Sequence, residues 1–156
     1  MEWFHNAVAN MRVPWEMGHV RIRVRRSCLL EDSLHAISQL SATDMQRYFR
    51  FEFIGEPAMD AGGVAREWFH CVSQHLFSLD TGLWRYSHVD NLTYQINPAS
   101  GVANSQHLQL FHFAGRFLGK ALFDRQVVSA HLTTPLLKHI LAAPMFFADL
   151  EFLDRD

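Results

Sequence analysis

Two hydrophobic periods alternate along this chain. Val20, Ile22 and Val24 interleave with Arg21, Arg23 and Arg25, and Phe49, Phe51 and Phe53 interleave with Arg50 and Glu52. A repeat of two predicts a strand within residues 20–26 and another over 49–53. Between them the spacing becomes helical, with Leu30, Leu34, Ile37 and Leu40 on one side and Glu31 and Asp32 in the first turn, where the helix dipole favours acids. Ser41 and Asp44 stand at capping-box spacing ahead of a short helix.

The helical period returns after a turn at Gly55-Glu56-Pro57. Gly62-Gly63 opens a helix with Val64, Trp68, Val72 and Leu76 in register and Phe69 beside them; Arg66, Glu67, Ser73 and Gln74 form its polar side. Residues 78–104 read as short strands and turns, with a strand at Thr93 to Ile96 and a break at Asn97-Pro98. Ser105 is placed to cap a long helix with the stripe Leu108, Phe111, Gly115, Leu118 and Leu122, and Gly115 and Gly119, four apart, suit close helix packing. Thr134-Pro135 opens a helix through Leu136, Leu137, Ile140 and Leu141 that Pro144 stops. Residues 1–12 make a short helix with Trp3, Phe4, Val8 and Met11 on one side, ended by Pro14. The final MFFADLEFLDRD starts an element in which Leu150 and Leu153 are helically spaced. The fold class that follows is α+β, mostly helical, with short antiparallel strands.

Composition narrows the picture. The 156 residues, 49% hydrophobic and 19% charged, suit one domain with a packed core and argue against disorder. A net charge of −2 gives no general pull toward nucleic acid or an anionic membrane. Cys28 and Cys71 make no disulfide framework, so a reducing compartment, cytoplasmic or nuclear, is expected. The N-terminus lacks the pattern of a secretory signal. The longest nearly apolar run, Ile140 to Ala148, contains Pro144 and falls short of the ~20 residues of a membrane helix.

Candidate chemistry is sparse. Gly115 to Lys120 reads GRFLGK, which has one residue too few between its glycines for a phosphate-binding loop and Ala121 where a hydroxyl is needed. DAGG at 60–63 lacks the spacing of a dinucleotide fingerprint. His70, Cys71 and His75 lie within two turns, but no further ligands stand near them, so no metal or other cofactor is expected. RIRVRR at 21–26 has no interleaved aromatic for base stacking and reads as a solvated strand face. Cys28 follows Arg25 and Arg26, yet a nucleophilic thiol also needs a base, and Leu29-Leu30 suggests a strand end entering the core. Cys71 reads as a small core residue. Neither G-x-S-x-G nor HExxH is present. Residue chemistry alone leaves a binding module and an enzyme equally open.

Five segments, in order, resemble the HECT family of ubiquitin ligases: RIRVRRSCLLEDS (21–33), FIGEPAMDAGGVAREWF (53–69), YQINPASG (94–101), FHFAGRFLGKAL (111–122) and DLEFLD (149–154). The resemblance runs from about Gly18 to Asp156 and corresponds to the front half of the family's larger, N-terminal lobe. It implies a helical extension at 1–17 and a partial HECT domain at 18–156. Within the signature, Asp60 is placed to cap the helix that follows, and Trp68 and Phe69 to fill its core.

Members of that family take ubiquitin from a conjugating enzyme onto a cysteine in a separate C-terminal lobe, then pass it to a substrate lysine. The resemblance implies those partners, ubiquitin-conjugating enzyme and ubiquitin. The family cysteine sits in a Thr-Cys-Phe context, which neither SCL around Cys28 nor HCV around Cys71 matches, so these residues are expected to be inactive alone. Some members bind a second ubiquitin through aromatics near the segment equivalent to residues 79–87. Tyr86 fits that pattern, whereas Thr81 stands where those members commonly have tyrosine. The alternative expectation is a non-catalytic ubiquitin- or partner-binding module.

Overall fold

The computed structural model describes residues 2–57, 60–88 and 92–153. Residues 1, 58–59, 89–91 and 154–156 lie outside these. In chain order the elements are α1 (Glu2–Val8), β1 (Val20–Val24), α2 (Leu29–Ser38), α3 (Ala42–Met45), β2 (Phe49–Phe53), α4 (Ala61–Leu76), β3 (Trp84–Tyr86), β4 (Tyr94–Ile96), α5 (Ser100–Ala103), α6 (His107–Phe123) and α7 (Thr134–Ile140). Short 3-10 turns supplement them, the longest at Phe147–Phe152. No helix among the described residues is long and apolar enough to cross a membrane. The chain divides into two compact units, Met1–Leu76 with His112–Val128, and Phe77–Phe111 with Ser129–Asp156.

In the first unit β1 and β2 pair in register, Ile22 opposite Phe51 and Val24 opposite Phe53. The four side chains are buried, as their alternation requires. This ladder is parallel. The physical reason is the connection: α2 and α3 carry the chain back to the starting end before β2 begins, as a parallel crossover demands. α4 covers the buried face. The Phe51 ring stacks on Trp68 at 4.3 Å, Phe69 meets Trp68 edge-on at 4.9 Å, and Phe117 leans on both at 5.7 and 5.5 Å.

Helix faces depart from the sequence reading in three places. On α2 the buried positions are Leu29, Ser33 and Ile37, with Leu30 and Leu34 only half-buried. Ser33 belongs inside because its Oγ accepts from Trp68 Nε1 at 3.0 Å. On α4 Ser73 is also buried, its hydroxyl donating to the His70 carbonyl at 2.8 Å. On α6 the buried face is Leu110, Phe113, Ala114, Phe117 and Ala121, one position away from the expected stripe, while Leu108 and Leu122 are exposed. Gly115 and Gly119 face open space rather than a packed neighbour. A helix this apolar offers several stripes, and the match of Phe117 to Trp68 and Phe69 selects one.

Caps shift as well. The capping box between Ser41 and Asp44 forms as read. At the start of α6, Asn104 Oδ1 rather than Ser105 accepts, taking the Gln106 N–H at 2.9 Å. The N-cap of α7 is Thr133, not Thr134, and its hydroxyl makes no capping bond.

In the second unit β3 and β4 form the antiparallel ladder, Tyr86 opposite Tyr94. Tyr94 also exchanges backbone hydrogen bonds with His131 and Thr133. Trp84 packs against Phe77 at 5.1 Å and Phe111 at 5.4 Å. The 3-10 turn at 147–152 is anchored by Asp149, which accepts from Lys138 at 2.6 Å and from the Phe146 N–H at 2.7 Å. Phe146, Phe147, Leu150 and Phe152 lie exposed around it.

Candidate functional site

The signature segment is built around one carboxylate. Asp60 accepts the Gly62 and Gly63 amides, each at 3.0 Å, satisfying free donors of the first α4 turn. A Cβ on Gly63 would lie 2.8 Å from Asp60 Oδ2, so the glycine lets the cap close. Ahead of it, Arg26 bridges Glu56 and Glu67, with its second nitrogen 2.7 Å from Glu67, and lies over the Phe53 ring at 4.1 Å. Arg25 grips Asp32 through Nε at 2.9 Å, Nη2 at 2.7 Å and its backbone N–H at 2.8 Å. Those bonds draw the Asp32 carboxyl down to about 2. Arg23 pairs with Glu52 at 3.2 Å. Most cations of RIRVRR are therefore matched to carboxylates rather than presented to phosphates.

The residue that the sequence reading missed is Lys120. Its side chain is buried, yet its Nζ donates to the carbonyls of Met45 at 3.1 Å and Arg47 at 2.7 Å, meets Asp124 at 3.1 Å, and lies 4.1 Å from the Phe49 ring centroid. Burial pulls its pKa down against the raising effect of Asp124. Asp124 in turn accepts from Arg12 at 2.9 Å. The lysine of GRFLGK is thus a tether inside the first unit. The i, i+4 pairing of Lys120 with Asp124 was the one sequence signal for it.

Cys28 and Cys71 are each half-buried, so Cys71 is not the fully enclosed core residue expected. Cys28 Sγ lies 3.7 Å from the Ser27 hydroxyl. His75 bonds through Nδ1 to the Cys71 carbonyl at 2.7 Å, not to its sulfur. Among the described residues no group of three or more His, Cys, Asp or Glu side chains could hold a metal ion.

Tyr86 is 39% exposed and stacks on Tyr94 with ring centroids 5.3 Å apart and planes 19° from parallel. Burial, then contact with Tyr86, raises the Tyr94 hydroxyl pKa. Thr81 spends its hydroxyl inside the turn before β3, donating to Ser78 O at 2.8 Å and accepting the Leu83 N–H at 3.3 Å.

Residues 70–156 match the family profile described as HECT-domain (ubiquitin-transferase). Among curated relatives, the E3 ubiquitin-protein ligase Smurf1 of Drosophila melanogaster is 42% identical over 141 residues, 90% of this chain and 13% of that protein. The E3 ubiquitin-protein ligase RSP5 of Chaetomium thermophilum is 42% identical over 139 residues, 89% of this chain and 17% of its own length. The E3 ubiquitin-protein ligase NEDD4 of Homo sapiens is 38% identical over 136 residues, 86% of this chain and 10% of its own. The chain therefore spans less than a fifth of the length of these relatives. The profile match covers more than half of the chain, and with the glycine-gated cap of α4 and the aromatic core behind it, this chain belongs to the HECT-domain family.

Proposed function

We propose that this chain is scaffold from a HECT-type ubiquitin ligase, working in a protein that takes ubiquitin from a conjugating enzyme onto a cysteine and delivers it to a substrate lysine. The observation that carries this reading is the family match over residues 70–156. The chemistry needs a thiolate presented to a thioester. Cys28 and Cys71 are half-buried, and His75 bonds to the Cys71 carbonyl rather than to its sulfur, which favours a supporting rather than an accepting role for these 156 residues. The test is a discharge assay with a charged conjugating enzyme. The chain alone is expected to form no thiol-labile ubiquitin adduct, and an adduct abolished by Cys28→Ser or Cys71→Ser sinks the reading.

A second reading, a ubiquitin-binding module without catalysis, rests on the exposed Tyr86 stacked on a half-buried Tyr94. An aromatic pair offers flat apolar area with a polar edge, the kind of surface that anchors interfaces. In an NMR titration of labelled ubiquitin, shifts at millimolar chain that vanish with Tyr86→Ala support it. Thr81→Tyr, which adds aromatic area at a neighbouring turn, is expected to strengthen the shifts. No shift with either protein rejects binding at this position.

A further inference from the structure

The first unit contains a cavity of about 560 Å³ that the ubiquitin-transfer reading does not use. That volume falls within the roughly 300–1,000 Å³ of pockets that hold small ligands and side chains. Its floor is the aromatic core itself, where the buried Phe51 and Phe69 surface. Trp15 and Tyr48, both partly exposed, stand at its edge, with ring centroids 5.8 Å apart. Arg12 and Asp124 also line it but neutralise one another at 2.9 Å. Arg50 and Arg125 are different: both are exposed, both line the cavity, and neither has a carboxylate partner among the described residues. With three arginines and one aspartate, the lining carries an excess of two positive charges in a chain whose net charge is −2.

Arg125 has a second peculiarity. It stands just beyond α6 at φ +57°, the left-handed position of a helix-ending turn, with the Gln126 N–H returning to the Ala121 carbonyl at 2.8 Å. Glycine is the favoured residue there because a Cβ is strained at positive φ. An arginine at that position keeps a cation at the cavity edge where the turn itself would favour none.

We propose that this cavity binds an acidic peptide segment of another protein, seating one bulky apolar side chain against Phe51 and Phe69 while flanking carboxylates pair with Arg50 and Arg125. The aromatic floor supplies apolar burial, and the two free guanidiniums select negative charge through charge-assisted hydrogen bonds. The cavity lining includes neither Tyr86 nor Tyr94, so the proposal is tested independently of ubiquitin binding.

The test is an NMR titration of the labelled 156-residue chain with a synthetic heptapeptide, acetylated and amidated, of glutamates around one central phenylalanine. A twin with glutamine in place of every glutamate serves as the neutral probe. The acidic peptide is expected to shift the Trp15 indole and the Gly62 and Ala65 amides. The neutral twin, and an Arg50→Gln, Arg125→Gln double variant, are each expected to weaken binding by about tenfold or more, the loss of one or two charge-assisted contacts. Arg125→Gly adds a control for folding: its thermal midpoint is expected to hold or rise, because glycine suits the turn, while binding still weakens. The proposal is overturned by equal affinity for the acidic and neutral peptides, by arginine variants that bind as the parent does, by shifts confined to Tyr86 and Tyr94, or by no shift at millimolar peptide.

Discussion

Lys120 Nζ donates to the backbone carbonyl of Arg47 at 2.7 Å. This bond ties the first third of the chain to a helix residue 73 positions later. Arg47 precedes β2 by two residues, so the bond sets where that strand begins, and the ammonium sits over the Phe49 ring as β2 starts. The same nitrogen reaches the Met45 carbonyl at the end of α3. A buried cation is costly unless paired and hydrogen-bonded. Here two carbonyls, one carboxylate and an aromatic face meet that need.

Removing the tether leaves its acceptors stranded. Lys120→Met keeps the side-chain volume but abandons two carbonyls and leaves the Asp124 carboxylate to Arg12 alone, so it is expected to cost about 2–4 kcal/mol of stability. Urea denaturation of the parent and variant would measure this, and an unchanged midpoint would show that the bonds add nothing net.

The Ser33–Trp68 bond lies at the centre of the first unit. Ser33→Ala leaves the buried indole N–H without its acceptor and is expected to cost about 1–2 kcal/mol, with little change in packing volume. Ser33→Thr keeps a hydroxyl and offers a partial rescue if the added methyl fits. Equal stability of the alanine variant and the parent would mean that the indole finds another partner.

Asp60 and Gly63 are expected to behave as a coupled pair. Asp60→Ala removes the α4 cap at about 1 kcal/mol. Gly63→Ala alone forces its Cβ against the Asp60 carboxylate and should also destabilise. In the Asp60→Ala background that clash is gone, and alanine is the better helix former, so the same substitution should become neutral or stabilising. Additive losses in the double-mutant cycle would refute the coupling.

Acid should weaken the fold through its carboxylates. The Arg25 hydrogen bonds hold Asp32 at about 2, below its ordinary 3.8. Asp44, Glu56 and Asp149 are lowered too, chiefly by bonds from Ser41, Arg26 and Lys138 respectively. A group depressed in the folded state binds protons more readily when unfolded. Its contribution is complete above the unfolded pKa and is lost as pH falls through the folded one. The denaturation midpoint is therefore expected to fall progressively from about pH 5 toward pH 2, with Asp32→Asn flattening the lower end of the curve. A pH-independent midpoint over that window would contradict the assignment.

Local chemistry was legible in the chain wherever neighbours in sequence decide the outcome. The alternation around Ile22 and Phe51, the box of Ser41 and Asp44 and the cap from Asp60 all depend on residues a few positions apart. Those dependencies are written into the chain directly. The family segments were legible for a related reason, since the same local constraints recur in order.

What lay beyond the sequence was set by partners distant along the chain. Ser73 reads as a polar-face residue and nothing near Ser33 in sequence marks it for burial, until the His70 carbonyl and Trp68 supply their bonds. The buried stripe of α6 was underdetermined, because a nearly uniform apolar helix can bury any of several faces, and only the aromatic surface of α4 and β2 chooses Phe117. Two alternating strands carry no mark of direction, so the parallel pairing of β1 with β2 followed from the path of α2 and α3. Lys120 shows the limit most clearly: a lysine is ordinarily a surface residue, and only folding brings the carbonyls of Met45 and Arg47 to a nitrogen that the sequence leaves without them.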